Sequence, residues 1–240
     1  MTHSLLISDL HLCSAEPAIS EAFRRFVRDI APAAEAVYIL GDLFEYWAGD
    51  DDLEDPLHQE VANLLDGLAA QGVRIYLMHG NRDLLIGQRF VEACGATLLP
   101  DPTVVELYGV RTLLSHGDAL CTDDVAYQAF RTQVRDPRWQ AGFLAQPLAQ
   151  RRALIQQVRA KSEEQKQIKC ADIMDVNVDA VAALLRDHGY PRFIHGHTHR
   201  PAHHRLHLDG HDCERWVLHD WSAQGHALRC DKDGCQPISF

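Results

Sequence analysis

The sequence lacks the features that mark several common classes of protein. Its seven cysteines include no C-x-x-C pair, so we expect neither a disulfide framework nor a zinc ribbon. The first residues, MTHSLLISDLH, lack the basic start and long apolar run of a signal peptide. No apolar run approaches the roughly 20 residues that a bilayer-spanning helix needs. We therefore expect a cytoplasmic protein that at most attaches to a membrane surface. We expect Cys13, Cys94, Cys121 and Cys170 to be reduced and semi-buried.

Positive charge is also scarce. The 240 residues carry 23 Lys and Arg against 34 Asp and Glu, a formal net charge of −11. Because affinity for nucleic acid comes from clustered Lys and Arg, we expect no nucleic-acid partner. The segment 131–169 is the exception, since its six Arg and three Lys outnumber three acidic residues and give it a local charge of +6. A basic segment in an acidic protein requires an explanation.

Short apolar runs that end in polar residues predict the β-structure. They are SLLIS, AVYIL, VRIYLM, VRTLLS and RFI, and their length and composition are typical of buried strands. Helical patterns at 18–30 and 57–71 lie between the early runs, which predicts a largely parallel sheet covered by helices. Two later runs, 215–219 and 226–230, have no helix between them. They predict antiparallel strands of a second sheet.

Residues 122–187 break this rhythm and have mostly helical patterns. We interpret 1–240 as one domain and 122–170 as a helical insertion that stands off the sheet. The insertion has more apolar residues than one helical hairpin needs for its own packing: Trp139, Phe143, Leu144, Leu148, Leu154, Ile155 and Val158. They could line an apolar channel, contact a membrane surface, or simply pack on the main sheet.

Candidate ligands follow five of the predicted strands. They are Asp9 and His11, Asp42, Asn81, His116, and the histidines of FIHGHTHRP. Loops at the carboxyl ends of strands in α/β sheets converge on one crevice, so these side chains should meet. Nitrogen and oxygen donors together suit Mn, Fe or Zn better than Ca. Cations would also balance the crowded carboxylates, and the pattern therefore predicts a metal site.

Each motif is weak alone, but their order is specific. The patterns D-x-H, G-D-x-x-[DE], G-N-[HR]-[DE], [GS]-H and G-H-x-H occur in succession, and together they resemble the calcineurin-like metallophosphoesterase family. The resemblance implies an α/β fold, a four-layer α-β-β-α sandwich, and two divalent ions per chain, usually Mn²⁺. It assigns Asp9, His11, Asp42 and His199 to one ion, and Asp42, Asn81, His116 and His197 to the other. His195 lies outside the motif, and we interpret it as lining the pocket rather than as a ligand.

Arg82 suggests which phosphoester is cleaved. Many members of the family have His at this position, which is considered to assist the leaving group. An alkoxide departs poorly without a proton donor, whereas the phosphate released from a phosphoanhydride can depart unprotonated. A planar guanidinium also binds two phosphate oxygens at once. Arg82 therefore favours pyrophosphate cleavage, although it could instead pair with an acidic residue of a neighbouring loop.

Longer stretches, among them ILGDLFE, HGNRD and IMDVN, resemble family members that cleave a lipid-linked UDP-sugar at the cytosolic face of the inner membrane. That resemblance implies water attack on the α-phosphate, and it requires no protein partner. It implies Asn81 and Arg82 as catalytic residues and the following substrate contacts: Asn81, Arg82, Asp124, Ser162, Lys166, Lys169 and His197. Apart from Asp124, the acidic runs 50–52 and 123–124 are expected in solvated loops. A phosphodiesterase or pyrophosphatase acting on a soluble nucleotide, and a metal-free binding scaffold, are the alternatives.

Overall fold

Two β-sheets form the centre of the molecule in the computed structural model, which describes residues 2–168 and 175–240, with the backbone alone at 161–168. The elements in chain order are β1 (Ser4–Ile7), α1 (Pro17–Arg25), β2 (Ala36–Leu40), α2 (Pro56–Ala70), β3 (Arg74–Met78), α3 (Gln88–Ala93), β4 (Ala96–Leu99), β5 (Thr103–Leu107), β6 (Val110–Ser115), α4 (Val125–Val134), α5 (Pro137–Leu144), α6 (Leu148–Ile168), α7 (Val178–Asp187), β7 (Arg192–His195), β8 (Ala202–Leu208), β9 (His211–Val217), β10 (His226–Asp231) and β11 (Gly234–Ser239). A π-helical turn, Phe26–Ile30, extends α1, and 3₁₀ turns cover Ala31–Ala33, Asp50–Glu54 and Asp118–Leu120.

The strands divide between the sheets differently from the sequence-based expectation. The first sheet has the order β11-β10-β1-β2-β3-β4, and the second has the order β5-β6-β7-β9-β8. Placing 226–230 in the second sheet is therefore wrong, because β10 pairs antiparallel with β1 of the first sheet. β6 and β7 pair in parallel within the second sheet rather than extending the first. Apolar runs buried on both faces look alike in sequence, whichever sheet they join.

Four layers result from this arrangement, as the resemblance implied. Helices α1 to α3 cover the outer face of the first sheet, and their apolar side chains share a core with residues such as Leu5 and Val37. The inner faces of the two sheets enclose a second core that includes Leu6 and Ile194. Leu185 of α7 packs on the outer face of the second sheet. The predicted α-β-β-α sandwich is confirmed.

Helix boundaries follow from local chemistry. Asp55 accepts a hydrogen bond from the Leu57 N–H at the start of α2, and Pro56 occupies the first turn, where its missing N–H costs nothing. The helix ends before Gly72, whose φ of 92° reverses the chain direction. Asp124 caps α4 and Asp136 caps α5 in the same way.

Helices α4 to α6, which we call the lid, occupy most of the segment 122–170. Trp139 and Phe143 stack at 5.0 Å on α5, so part of the apolar surplus serves packing within the lid. Leu144, Leu154 and Val158 nevertheless remain 40–46% exposed. Among the described residues, no helix combines the length and the apolar character needed to cross a bilayer. Lys169, Cys170 and the side chains of Ser162 and Lys166 lie outside the described residues.

The cysteines differ from expectation in one respect. Cys230 and Cys235 face each other across the β10–β11 hairpin and form a disulfide. This single bond was not anticipated from the sequence, because two cysteines five positions apart become direct neighbours only through the pairing of the hairpin. Cys13 and Cys94 are reduced, and Cys121 is buried, as expected.

Candidate metal centre

The candidate ligands come from both sheets. Asp9 and His11 follow β1, and Asp42 follows β2. Asn81 follows β3, so three strands of the first sheet carry candidate ligands at their ends. The second sheet contributes His116 after β6, and His197 and His199 after β7. All these residues stand at the carboxyl ends of parallel strands, and the paired sheets bring those ends to one crevice.

The turns that carry these residues have unusual backbone conformations. Asp9, His11, Asp42, His197 and His199 all have φ between 52° and 70°. Non-glycine residues rarely adopt this left-handed region, and such strain costs about 1–3 kcal/mol each where the surroundings enforce it. Here, the His11 N–H donates to the Asp42 carbonyl at 3.0 Å and helps to hold the turn. The clustering of strained turns supports a functional site.

One donor group consists of Asp9, His11 and His199. His11 Nε2 lies 3.3 Å from His199 Nε2, and His199 Nε2 lies 3.5 Å from Asp9 Oδ1. Asp42, which the family pattern assigns to the same ion, has its Oδ2 3.9 Å from His11 Nδ1. These atoms are close enough for one ion to contact several of them.

The second donor group consists of Asp9, Asp42 and His116. His116 Nε2 lies 3.8 Å from Asp42 Oδ1 and 3.0 Å from Asn81 Oδ1. The ring of His197 lies with its centroid 5.0 Å from that of His116. All seven predicted ligands are therefore close together. In the structure Asp9 belongs to both donor groups, whereas the sequence pattern gives the shared position to Asp42.

Divalent cations fit this donor set. Asp9 Oδ1 and His11 Nδ1 are buried and lack a well-formed hydrogen bond among the described residues, although His199 Nε2 lies 3.5 Å from the first and Glu45 Oε2 3.2 Å from the second. Buried polar atoms are rarely left unsatisfied, so such atoms call for a ligand. Carboxylate oxygens and imidazole nitrogens together are the donors that Mn, Fe and Zn accept.

Protonation of two histidines balances the buried carboxylates. Burial would lower the pKa of His116, but Asp42, Asp9 and Asp118 raise it to about 9. Burial likewise opposes protonation of His199, yet Asp220 and Asp9 raise its pKa to about 9. In the metal-free protein these protons supply positive charge that bound cations would replace.

The remaining imidazoles are neutral. Burial lowers the pKa of His11 to about 4, and it lowers the pKa of His197 to about 4 as well. Neutral imidazole is the form that binds metals. The Leu40 carbonyl lies 2.9 Å from His116 Nδ1, which directs Nε2 of that ring toward the site.

Three residues that position the ligands were not singled out from the sequence. Asp220 Oδ2 lies 3.4 Å from His199 Nδ1 and orients that ring. Buried Asp83 accepts hydrogen bonds from the backbone N–H groups of Gly80, Asp42 and Leu43. Glu45 Oε2 lies 3.2 Å from His11 Nδ1. Asp83 and Glu45 end the quoted motifs HGNRD and GDLFE, so a signal existed for them, whereas none marked Asp220.

His195 has a different environment from the other histidines of FIHGHTHRP. It is fully buried, its ring stacks on Phe193, and its Nδ1 lies 2.9 Å from the Gly196 carbonyl. Burial lowers the pKa of His195 to about 3. Among the described residues it belongs to neither donor group. This environment is consistent with a packing role beneath the pocket.

Arg82 lies at the edge of the donor cluster. Its backbone N–H donates to Asp42 Oδ1 at 2.8 Å, and its Nη1 donates to Glu45 Oε1 at 2.7 Å. Arg159 of the lid pairs with the same Glu45 oxygen. The pairing with an acidic residue that the sequence left open therefore occurs. It takes place at the rim of the site, where Glu45 links an arginine of the lid to an arginine of the body.

Asp124 and the acidic run 50–52, which were singled out in the sequence, have structural roles. Asp124 is buried and accepts the Tyr127 N–H at 3.1 Å as the cap of α4. Expecting the acidic run 50–52 in a solvated loop holds for the exposed Asp51 but is wrong for Asp50 and Asp52. Asp50 accepts the N–H groups of Gly87 and Arg89, and Asp52 is completely buried. The partners of these carboxylates come from distant parts of the chain, which local sequence does not reveal.

Comparisons with known proteins identify the family of the chain. Residues 3–201 match the calcineurin-like phosphoesterase family, to which the chain belongs. It is 53% identical to the UDP-2,3-diacylglucosamine hydrolase of Aromatoleum aromaticum over 96% of this chain and 94% of that protein. The enzymes of the same name from Xanthomonas axonopodis pv. citri and Cellvibrio japonicus are 52% and 51% identical, over 96% and 97% of this chain and 96% of each relative. A solved archaeal phosphodiesterase superimposes with a TM-score of 0.48 at 14% identity, over 99% of each chain.

Proposed function

We propose that the protein hydrolyses the pyrophosphate of UDP-2,3-diacylglucosamine by attack of water on the α-phosphate. The products are UMP and 2,3-diacylglucosamine 1-phosphate, an intermediate of lipid A biosynthesis. The observation that carries the proposal is the convergence of seven candidate donors, five of them in two compact groups with Asn81 and His197 beside His116. The chain is also 51–53% identical to hydrolases of this name over nearly its full length. The reaction would take place at the cytosolic face of the inner membrane, without a protein or nucleic-acid partner.

Two Mn²⁺ ions are the cofactors we propose. Asp9, His11, Asp42, Asn81, His116, His197 and His199 would hold them. When bound, such a pair of ions neutralises phosphate charge and activates water. Asp220 and the Leu40 carbonyl would keep His199 and His116 oriented as ligands.

Arg82 and Asn81 would bind the pyrophosphate next to the ions. Arg82 Nε lies 3.7 Å from Asp42 Oδ2, which brings a permanent positive charge to the edge of the donor cluster. The guanidinium can bind two phosphate oxygens and hold the phosphorus for in-line attack. The departing group is a phosphate that needs no proton, so an arginine is adequate at this position.

The lid would bind the remainder of the substrate. Asp124, Ser162, Lys166, Lys169 and His197 are the further contacts that we propose. The exposed side chains of Leu144, Leu154 and Val158 offer apolar surface to acyl chains or to the membrane from which the substrate comes.

Product analysis with isotopically labelled water tests this function. Synthetic UDP-2,3-diacylglucosamine is incubated with the protein and Mn²⁺ in H₂¹⁸O, with EDTA as the metal-free control. We expect UMP to carry the label and the lipid product to carry none, and we expect no turnover with EDTA. A label in the lipid product would contradict attack on the α-phosphate. Equal kcat/KM for a deacylated UDP-glucosamine would instead support a hydrolase of soluble nucleotides.

A further inference from the structure

We propose that Arg151 is a positioning residue that fixes the lid to the loop carrying Asp42 and so sets the efficiency with the acylated substrate. The loop portion concerned is 45–52, which we call the docking segment. The inference rests on the proposed function for its choice of substrate. Its structural basis, the attachment of α6 to the docking segment, stands on contacts alone.

Arg151 is buried to an unusual degree for an arginine on a lid. Its relative exposure is 2%, and Nε donates to the Gln146 carbonyl at 2.9 Å. Nη1 donates to the Ala48 carbonyl, and Nη2 pairs with the Asp51 carboxylate. One guanidinium therefore joins the α5–α6 turn to the docking segment. A buried guanidinium without acceptors would be strongly destabilising. The lid is therefore held where these acceptors are available.

Two other arginines of α6 reach the same segment. Arg152 Nε donates at 2.8 Å to Oδ1 of Asp52, whose side chain is completely buried. Arg159 pairs with Glu45. Positions 152 and 159 are two helical turns apart and lie on the same side of α6. This side of the helix is therefore docked on the body through arginine–carboxylate pairs.

The same kind of pairing accounts for much of the basic segment. On α4, Arg131 Nε donates to Asp118 Oδ2 at 2.8 Å, and Arg135 Nη2 lies 3.4 Å from that atom. Asp118 is fully buried in the body, two positions after the candidate ligand His116. Five arginines of the lid thus have carboxylate partners in the body. Their positive charge attaches the lid, which explains a basic segment in an acidic chain.

The docking segment also contacts the candidate site directly. The Trp47 N–H donates to the Arg82 carbonyl at 3.2 Å, and Glu45 accepts from the Arg82 guanidinium. Gly49 allows the close approach of the lid, because a Cβ there would overlap Arg151 and Leu144. A loosened lid would therefore disturb both the surface over the site and the arginine proposed to bind phosphate.

Steady-state kinetics on two substrates tests the proposal. The variants are Arg151→Met and Arg151→Lys, and Arg138→Met, an exposed arginine of α5, is the matched control. The substrates are UDP-2,3-diacylglucosamine, which would need the lid, and bis(p-nitrophenyl) phosphate, which would need only the metal centre. Hydrogen exchange of α4 to α6 is measured on each protein, together with its Mn²⁺ content.

For Arg151→Met we expect kcat/KM for the acylated substrate to fall roughly 10- to 100-fold, the effect typical of misplaced binding groups. Hydrolysis of the small diester and the Mn²⁺ content should change less than about twofold, and exchange in the lid should rise. Arg151→Lys keeps the charge but not the planar set of donors of the guanidinium. Its kcat/KM for the acylated substrate should therefore lie between the values of Arg151→Met and the unaltered protein. Arg138→Met should match the unaltered protein.

Three outcomes would overturn the inference: an equal loss on both substrates, a loss explained by Mn²⁺ content, or unchanged lid exchange in Arg151→Met. If the unaltered protein does not hydrolyse UDP-2,3-diacylglucosamine, the proposed function fails by itself. The rate of hydrogen exchange in α4 to α6 then still decides whether Arg151 fixes the lid.

Discussion

The backbone N–H of His197 donates a hydrogen bond to Oδ2 of Asp9 at 2.9 Å, although 188 positions separate the two residues. The Ser8 hydroxyl donates to the same oxygen at 2.6 Å. With Oδ2 occupied, Oδ1 of Asp9 faces the imidazoles, where its contact with His199 Nε2 is 3.5 Å long and falls short of a well-formed hydrogen bond. One contact therefore joins the first and last motifs and orients a candidate metal ligand.

Gly196→Ala tests the importance of that contact. A Cβ at Gly196 would lie 2.3 Å from both Asp9 Oδ2 and Ser8 Oγ, so Asp9 would have to move. Residues that orient ligands typically change metal affinity by about 10- to 100-fold, and we expect a loss in that range by calorimetry with Mn²⁺. Gly67→Ala is the control, since it has open space on α2 and should raise stability by about 1 kcal/mol. Unchanged Mn²⁺ affinity in Gly196→Ala would contradict the role of this turn.

Asp42→Ala should abolish turnover. Asp42 belongs to the second donor group, approaches His11 of the first group and also accepts the Arg82 N–H, so its loss would disturb both ions and the phosphate-binding arginine. We expect kcat to fall roughly 10³-fold or more, since several kcal/mol of transition-state stabilisation are involved. Asp233→Ala, in the exposed β10–β11 turn, serves as the control. Activity retained at saturating Mn²⁺ would refute this role for Asp42.

Arg82→Ala should reduce catalysis more than metal binding. The guanidinium is proposed to bind phosphate, whereas it contacts the donor cluster only at its edge, 3.7 Å from Asp42 Oδ2. We expect kcat to fall roughly 10²-fold with Mn²⁺ content nearly unchanged, and Arg82→Lys to recover part of the loss. Mn²⁺ lost in proportion to activity would show that Arg82 is needed for the integrity of the site instead.

Metal binding should release protons near neutral pH. Burial opposes protonation of His116 and His199, but neighbouring carboxylates raise the pKa of each to about 9, so both are charged in the metal-free protein at neutral pH. A metal ligand must be neutral, and each ring would therefore lose a proton. The apparent Mn²⁺ affinity should rise with pH until about 9. Calorimetry in buffers with different ionisation enthalpies measures the release, and identical heats in all buffers would contradict it.

The sequence predicts the convergence of the candidate ligands better than it predicts the sheets. Strand ends and ligand motifs are local features, so the convergence of Asp9, Asp42 and His116 can be inferred from the order of residues alone. The pairing of β1 with β10 cannot be inferred in this way. A short apolar run such as β10 could belong to either sheet.

Asp52 departs from its predicted solvated loop for a related reason. Asp52 binds Arg152, 100 positions away in the chain, and no short pattern encodes such a pair. Asp220 orients His199 without any motif of its own. Interactions between distant segments thus account for the features that sequence reasoning missed, including the attachment of the lid.

Anomalous diffraction from crystals soaked in Mn²⁺ tests the central claim most directly. We expect two Mn²⁺ peaks roughly 3.5–4 Å apart, one next to Asp9, His11 and His199 and the other next to Asp42 and His116. Soaked crystals of Asp42→Ala should lose at least one peak. A crevice without anomalous density at saturating Mn²⁺, or ions bound away from these side chains, would contradict the account.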